Sequence, residues 1–198
     1  KGKRMLAVKF QKMLDVSGKF DGTEIIFEDL TNYKNIESKL RRLSFYDQLT
    51  GLYNRTYMEQ ELTRIDIDCA NPIGFFSIDI DGMKLVNDNL GHAAGDSLLI
   101  KVSDIIRSSF GKDDVAVRLG GDEFGVLMQK SYEDSVLEAY RRIKAHIRDN
   151  NEKASELPVS VSIGWAIGNL TDRNDIHGIV KEADRRMYAV KQINHLKY

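Results

Sequence analysis

Two groups of acidic residues lie in segments whose other residues are mostly apolar, as in a buried β-strand. The stretch RLGGDEFGVL places two glycines and two acids inside an apolar run: Gly120, Gly121, Asp122 and Glu123. The stretch FFSIDID ends in Asp79 and Asp81, at alternate positions of an apolar segment. Carboxylates gathered in one place repel one another unless a cation or hydrogen-bond donors lie nearby.

A shared metal ion is one explanation for these acids. If the strands that carry them are neighbours in a sheet, Asp79 and Asp122 can converge on one point. Carboxylate oxygens without a His or Cys partner suit a hard ion, Mg²⁺ or Mn²⁺. Gly120 and Gly121 permit positive φ in a turn and let a large ligand approach the backbone. Taken alone, the turn favours an ordinary Gly-Gly hairpin with exposed acids; two acidic groups on neighbouring elements favour the metal site.

The segment DGMKLVNDNLGHAAGD, Asp81 to Asp96, is predicted to be a loop because it is dense in Asn, Asp and Gly. Lys84 lies near the acids, and a helix starting near Ala94 could help to form a concave backbone site. The carboxylate of Asp96 could accept the N1–H and 2-amino donors of a guanine, and the amide of Asn87 could donate to its O6. Alternatively, Asp96 is a charge at a helix N-terminus and Asn87 is a turn residue.

The surrounding pattern predicts an α+β fold. Predicted helices cover 55–65, 94–110, 135–148 and 176–193, and predicted strands cover 73–80, 115–119, 124–128 and 159–167. After Pro72 the order is β-α-β-β-α-β-α, whose first six elements match the split βαβ, ferredoxin-like arrangement. We expect a central, mainly antiparallel sheet flanked by helices. A ferredoxin-like sheet has helices on one face, and its first strand neighbours the middle hairpin.

The residues before this pattern are predicted to form two smaller segments. Residues 1–30 have the length and turn chemistry of one β-hairpin, and residues 31–46 read as a linker helix with Thr31 as N-cap. Ile36, Leu40 and Leu43 recur at helical spacing. The helix is therefore either a solvated linker with one apolar stripe or a short coiled coil that pairs two chains. Because the chain begins with Lys rather than Met, we expect a piece of a longer protein.

The composition of the chain limits the classes of partner that we expect it to bind. The formal net charge of −1 gives no argument for nucleic acid as a partner. Cys69 is the sole cysteine, so the chain has no intrachain disulfide and no thiolate metal cluster, which fits a reducing cytosol. No apolar run reaches the length that crosses a bilayer, so we expect no membrane contact from this piece.

Several motifs at coherent spacing resemble one known family. RLGGDEF is similar to the signature of the GGDEF domains, the diguanylate cyclases. The motifs that accompany it stand in order: DQLTGLYNR (47–55), FSIDIDGMKLVNDNLGHAAGD (76–96), VSIGWA (161–166) and ADRRMYAVK (183–191). The resemblance covers about residues 44–195, which makes 47–198 the catalytic domain, of nucleotidyl cyclase type. Residues 1–30 resemble the end of a PAS sensor domain.

The resemblance implies an enzyme that condenses two GTP into cyclic di-GMP and releases two pyrophosphates. It implies Mg²⁺ as cofactor, with Mn²⁺ as a substitute, and a homodimer that meets through the catalytic faces and the linker helix. The expected location is the cytoplasm, with any membrane anchor upstream. Alternatives are a catalytically silent GTP-binding regulatory module, a cyclic di-GMP receptor, or another nucleotidyl cyclase.

Catalytic roles follow from the resemblance position by position. Asp79, the backbone carbonyl of Ile80 and Asp122 match the metal ligands. Asp122 is also a candidate base for the 3′-hydroxyl, and Glu123 matches another catalytic residue; which acid takes the proton stays open. Lys84 matches a residue at the phosphates that stabilises the transition state.

Other positions match the family's substrate-binding residues: Gly82, Met83, Asn87, His92, Asp96 and Lys191. In the family the first two offer backbone amides to the phosphates. The amide and the carboxylate, at 87 and 96, read guanine, and the histidine lines the same pocket. The lysine on the last helix contacts the terminal phosphate.

Some positions depart from the family pattern. The Arg-x-x-Asp motif that binds inhibitory product reads GKDD here, with Gly111 in place of Arg and Asp114 kept. Without the guanidinium, we expect weak or no product inhibition through this site. His195 replaces an arginine that often follows Lys191 and contacts the triphosphate. Asp96 rather than Ser indicates GTP alone as substrate.

Overall fold

The computed structural model describes residues 4–65, 71–153, 157–170 and 173–195; side chains are not described at 21, 173, 174 and 195. Cys69 and the His195 side chain therefore lie outside the described part. The chain divides into two units, Lys1–Ser44 and Phe45–Tyr198. Among the described residues no helix combines the length and the apolar character that a bilayer span requires.

The first unit is a β-hairpin followed by a helix. Strands β1 (Leu6–Leu14) and β2 (Phe20–Asp29) pair antiparallel, as the alternating pattern predicts. Helix α1 (Thr31–Phe45) follows directly. Thr31 is its first residue rather than its N-cap, and the Asp29 carboxylate accepts the Thr31 N–H at 2.9 Å. The helix buries none of its side chains, and its apolar stripe is exposed: Tyr33, Ile36, Leu40 and Leu43.

The second unit is built on a five-stranded sheet of order β3-β5-β6-β4-β7. Its strands are β3 (Tyr53–Asn54), β4 (Ile73–Ile80), β5 (Val115–Gly120), β6 (Glu123–Met128) and β7 (Val161–Gly168). Its helices are α2 (Arg55–Arg64), α3 (Met83–Leu90), α4 (His92–Ser109), α5 (Glu133–Lys153) and α6 (Arg173–His195). The short β3 runs parallel to β5, and the other pairs are antiparallel. The predicted α+β class and the neighbourhood of β4 and β6 are confirmed.

The predicted loop between Asp81 and Asp96 is wrong. Most of that segment is helical, as α3 and the first turn of α4, which begins at His92 rather than near Ala94. Its many Asn and Asp residues have low helix propensity, but tertiary packing overrides that preference. Gly82 before α3 and Gly91 after it adopt positive φ, 72° and 83°, so the glycines mark the helix boundaries.

Helices cover both faces of the sheet, which corrects the expectation of helices on one face. On one face Phe76, Ile78 and Ile80 pack with α4 and α5. On the other, Ile73 and Phe75 pack with α2 and α6. Every residue of β4 is buried because it is the second strand from the sheet edge and lies between two helical layers. An acid in β4 is consequently shielded from solvent on either face.

Candidate active site

The pairing of β4 with β6 brings the two acidic groups together. Asp79 is the cross-strand neighbour of Glu123, and the Ile80 N–H donates to the Asp122 carbonyl at 3.2 Å. Gly120 and Gly121 have φ of 151° and 53° in the turn that carries Asp122. The positive φ predicted for this turn is therefore confirmed. It is a conformation that residues with a Cβ rarely adopt.

Asp79 is the most buried acid of the site, with 2% of its surface exposed. The Lys191 ammonium of α6 lies 2.6 Å from its Oδ1, without the geometry of a regular hydrogen bond to that oxygen. Burial raises the pKa of Asp79 above its ordinary value, against the lowering effect of Lys191 and with a further rise from the charge of Asp122. The interaction with Asp122 indicates that the two acids share one electrostatic environment.

The same acids also shift the pKa of Lys191. Burial lowers its pKa, but contact with Asp79 and the charges of Asp122 and Asp81 outweigh burial and raise the pKa above its ordinary value. Lys191 therefore carries its positive charge at neutral pH. No local sequence pattern reveals this contact, since the two partners are 112 positions apart in the chain.

Asp81 has a structural role that the sequence did not reveal. The Ser160 and Ser162 hydroxyls donate to its carboxylate at 2.7 and 2.6 Å, and the Asn194 amide donates to it at 3.0 Å. Asp81 therefore ties the end of β4 to β7 and to the last turns of α6. The Asp81 carboxylate is thus held by three hydrogen-bond donors, whereas the Asp79 carboxylate faces the Lys191 ammonium.

Helix α6 reaches the site because it packs directly on β7. A Cβ built on Gly164 would lie 2.1 Å from the Met187 backbone nitrogen and 2.2 Å from the Ala183 carbonyl oxygen. Any larger residue would push the helix away from the sheet. The glycine in VSIGWA thus brings the α6 backbone close enough for Lys191 to reach Asp79.

A cleft of about 690 Å³, called here the lysine cleft, opens at this edge of the sheet. Its lining includes both lysines of the site and residues from the α3 start, the turn and the β7 edge: Gly82, Met83, Lys84, Asp122, Ser160 and Lys191. The first turn of α3 faces it, and the first N–H groups of a helix lack intrahelical acceptors. Two ammonium groups and a helix N-terminus are suited to an anion such as a phosphate chain.

A second cleft of about 530 Å³, the Asn87 cleft, continues from the first. It is lined by α3, α4 and the signature hairpin, including Asn87, His92, Asp96 and Arg118. A Cβ on Gly95 would lie 2.1 Å from the Asn87 Oδ1, so the glycine leaves room for the Asn87 side chain where α3 meets α4. The helix N-terminus at the lysine cleft is that of α3, and the start of α4, which was expected to form a backbone site, lies at the Asn87 cleft through His92.

The two clefts share Met83, Lys84 and Asp122. The structure therefore brings most of the sequence-predicted site residues to one continuous surface, with Ile80 at the lysine cleft. Glu123 is exposed and is not among the described residues that line either cleft. Its charge nevertheless contributes to the raised pKa of Asp79, after burial and the charge of Asp122.

Arg118 holds the signature turn in place through hydrogen bonds. Its guanidinium donates to the Gly121 carbonyl at 3.1 and 2.8 Å and contacts both oxygens of Asp47 at 3.2 and 3.3 Å. Asp47 also accepts the N–H and the hydroxyl of Thr50 at 2.8 and 2.7 Å. The DQLTGLYNR motif and the signature turn are thereby joined by one hydrogen-bonded group.

The segment that departs from the Arg-x-x-Asp pattern forms a closed turn. The Gly111 N–H donates to the Asp114 carboxylate at 2.7 Å, and burial raises the pKa of Asp114 above its ordinary value. Asp114, the acid kept from the motif, therefore stabilises the turn in which it lies.

The donor set fits a hard divalent cation bound together with a ligand. In the described residues, no three or more His, Cys, Asp or Glu side chains are grouped to hold a metal ion. Mg²⁺ is commonly bound through one or two carboxylates, with phosphates and water completing its shell. Asp79 offers a buried oxygen without a regular hydrogen bond, and Asp122 lines the adjoining clefts. Oxygen ligands of this kind suit Mg²⁺ or Mn²⁺.

Comparison with known proteins gives the family. The family described as diguanylate cyclase, GGDEF domain, matches residues 44–196. The chain belongs to this family.

Curated relatives are much longer than this chain. The cyclic di-GMP phosphodiesterase PdeB of Shewanella oneidensis is 28% identical over 190 residues, which are 95% of this chain and 22% of PdeB. The probable diguanylate cyclase DgcT of Escherichia coli is 33% identical over 179 residues, which are 87% of this chain and 37% of DgcT. The chain thus spans about a fifth to two fifths of these relatives. The name of one relative is that of a cyclic di-GMP phosphodiesterase and the name of the other is that of a probable diguanylate cyclase.

A solved structure has the same architecture. The coiled coil and GGDEF domain of DgcB from Caulobacter crescentus, in complex with c-di-GMP, is 25% identical with a TM-score of 0.73. The match covers 81% of this chain and 87% of that one. It agrees with the mixed α+β fold and its central, mostly antiparallel sheet.

Proposed function

We propose that the second unit is a diguanylate cyclase that condenses two GTP into cyclic di-GMP. The main observation that supports this proposal is that the lysine cleft and the Asn87 cleft meet at Met83, Lys84 and Asp122. The Asn87 cleft offers an amide and a carboxylate for the guanine edge, and the lysine cleft offers cations for the triphosphate. One bound GTP would thus lie across the signature turn, with its α-phosphate near Asp122.

The proposed chemistry is attack of a ribose 3′-oxygen on the α-phosphate of the other GTP. The new P–O bond forms as the bond to the pyrophosphate breaks, and the 3′-hydroxyl proton passes to Asp122 or Glu123. Asp79, Asp122 and the Ile80 carbonyl would hold Mg²⁺, which when bound neutralises phosphate charge and lowers the pKa of the hydroxyl. Lys84 and Lys191 would orient the phosphates, and Asn87, Asp96 and His92 the guanine.

The reaction requires two copies of the domain, each presenting one GTP to the other. The exposed apolar stripe of α1 supports a homodimer in which the helices of two chains pair. The proposed place of action is the cytoplasm, where GTP is available as substrate. The β1–β2 hairpin is proposed to end a PAS-like sensor.

Product analysis tests this proposal. The purified chain is incubated with GTP and Mg²⁺ at high protein concentration, so that weak dimers form, and nucleotides are separated by chromatography. We expect cyclic di-GMP and two pyrophosphates per product, and no product from Asp122→Asn. GTP that binds but stays unchanged would contradict the cyclase and support the regulatory alternative.

A further inference from the structure

Asp79 and Lys191 form an ion pair inside the proposed catalytic site. The ammonium lies 2.6 Å from Asp79 Oδ1, with the carboxylate almost fully buried and Lys191 at the rim of the lysine cleft. The proposed function gives both residues other partners, a divalent cation for Asp79 and a phosphate for Lys191. The inference below rests on that proposed function.

The Lys191 ammonium and a divalent cation would repel each other if both contacted Asp79 Oδ1. Mg²⁺ binds carboxylate oxygen at about 2.1 Å, so a cation on Oδ1 would stand within about 5 Å of the ammonium. Like charges this close in a poorly hydrated site repel strongly. Binding of one at Asp79 therefore weakens binding of the other.

The contacts around Lys191 favour movement of its side chain rather than of the helix. Asn194, near Lys191 on α6, is held by Asp81 and by the Ser162 hydroxyl at 3.0 and 3.1 Å. The contact between Lys191 and Asp79 Oδ1 has no regular hydrogen-bond geometry. The helix is thus anchored, while the Lys191 ammonium is held by its contact with Asp79 and by the charges of Asp122 and Asp81.

The lysine cleft provides a second position for the ammonium. Lys191 lines it together with Lys84 and with Gly82 and Met83 at the start of α3. A triphosphate bound to these groups would bring negative charge within reach of a rotated Lys191 side chain. No movement of the sheet is required.

We propose that Lys191 is an exchangeable counter-ion. Its ammonium neutralises Asp79 before ligands bind, a divalent cation displaces it, and the displaced ammonium binds the terminal phosphate. Cation and triphosphate then bind cooperatively, because each favours the same position of Lys191. Removal of the ammonium should have opposite effects on the two ligands.

Metal titration without nucleotide tests the exchange. Mn²⁺ binding to the full chain is followed by the electron paramagnetic resonance of free Mn²⁺, for wild type, Lys191→Met and Lys181→Met. Lys181 is exposed on the same helix, so its variant controls for the loss of one charge. Lys191→Met should bind Mn²⁺ about tenfold more tightly, the factor expected for removal of one competing charged contact. The Lys181→Met affinity should match wild type.

The nucleotide arm uses guanosine 5′-[α,β-methylene]triphosphate, which cannot react at the α-phosphate. With saturating Mn²⁺, Lys191→Met should bind it about tenfold more weakly than wild type, by the same argument. Equal or weaker Mn²⁺ binding by Lys191→Met in the first arm would overturn the proposal, and so would unchanged analogue binding in the second.

Wild-type protein gives a readout that does not depend on the variant's folding. With ¹⁵N-labelled lysine side chains, the Lys191 ammonium signal should shift when Mg²⁺ is added without nucleotide. An unchanged signal at saturating Mg²⁺ would contradict the exchange. None of these measurements needs turnover, so a failure of cyclic di-GMP synthesis and a failure of the exchange can be told apart.

Discussion

The acids of the site differ in what holds them, and this separates their roles. Asp81 accepts hydrogen bonds from Ser160, Ser162 and Asn194. Asp79 faces Lys191, and Asp122 lines both clefts. Asp81 therefore suits positioning of α6, whereas the other two are available to a cation.

Asp96 provides a prediction about substrate recognition. Asp96→Asn replaces an acceptor-only carboxylate by an amide that presents donors to the guanine N1–H and 2-amino groups. We expect KM for GTP to rise by roughly 10- to 100-fold, as for loss of a charged hydrogen bond, with a smaller change in kcat. Steady-state kinetics measures this.

The matched control is Asp104→Asn, an exposed acid on the same helix, paired with Arg107 at 2.8 Å. Exposed pairs of this type contribute little, so its kinetics should equal wild type. A KM for Asp96→Asn within twofold of wild type, judged against the roughly tenfold minimum expected, would exclude Asp96 from guanine binding.

Asp47 provides a prediction about pH. Burial raises its pKa, but the hydrogen bonds from Thr50 and the charge of Arg118 outweigh burial and lower the pKa below its ordinary 3.8. The stabilisation from ionised Asp47 is therefore present above pH 3.8 and is lost as pH falls through the lowered value in the folded state. Asp47→Asn should cost about 1–3 kcal/mol of unfolding free energy at pH 7.

Urea unfolding across pH checks this sign. The difference between wild type and Asp47→Asn should be constant near neutrality and shrink as the pH falls below 3.8. Asp113→Asn, a change at an exposed acid, should follow wild type throughout. A difference that grows in acid would contradict the assigned role.

At the scale of elements, close packing of α6 on β7 positions Lys191. Gly164→Ala places a Cβ against helix backbone, which cannot rotate away. We expect a loss of roughly 1–3 kcal/mol in unfolding free energy, typical of overpacking, together with reduced turnover. Chemical denaturation and cyclic di-GMP assays report the two effects.

Gly178→Ala, on α6 itself, is the control for Gly164→Ala. Nothing lies within 4 Å of a Cβ built at Gly178. Alanine favours helix over glycine by up to about 1 kcal/mol, so this variant should be as stable as wild type or more stable. Normal stability of Gly164→Ala would show that α6 can pack at a larger distance.

The elements that the sequence predicted are those with strong local patterns. Strand β4 follows from its unbroken apolar run, and the signature hairpin from glycines that take positive φ. Helix α3 was missed because its Asn and Asp residues favour turns when judged locally. The contacts of Asp81 with Asn194 and of Asp79 with Lys191 join positions more than a hundred residues apart, so no local pattern contains them. The family resemblance named Lys191, but not its ion pair with Asp79.

At the scale of the whole molecule, the proposed catalysis by two facing domains would make activity depend on protein concentration. Leu40→Lys places a charge in the exposed stripe of α1. The dimer dissociation constant should rise by at least about tenfold, and turnover per chain should fall at low concentration and recover at high concentration. Sedimentation and concentration-dependent assays measure both.

Ser38→Lys adds the same charge outside that stripe and serves as control. It should leave association unchanged. If Leu40→Lys and wild type show the same association and the same concentration dependence, α1 does not pair the chains.

Direct observation of the cation tests the account most closely. Crystals of the chain with Mn²⁺ and guanosine 5′-[α,β-methylene]triphosphate would locate the metal by anomalous scattering. We predict a peak bonded to carboxylate oxygens of Asp79 and Asp122, guanine at Asn87 and Asp96, and Lys191 at the terminal phosphate. A metal bound elsewhere, or a guanine outside the Asn87 cleft, would contradict the proposed site.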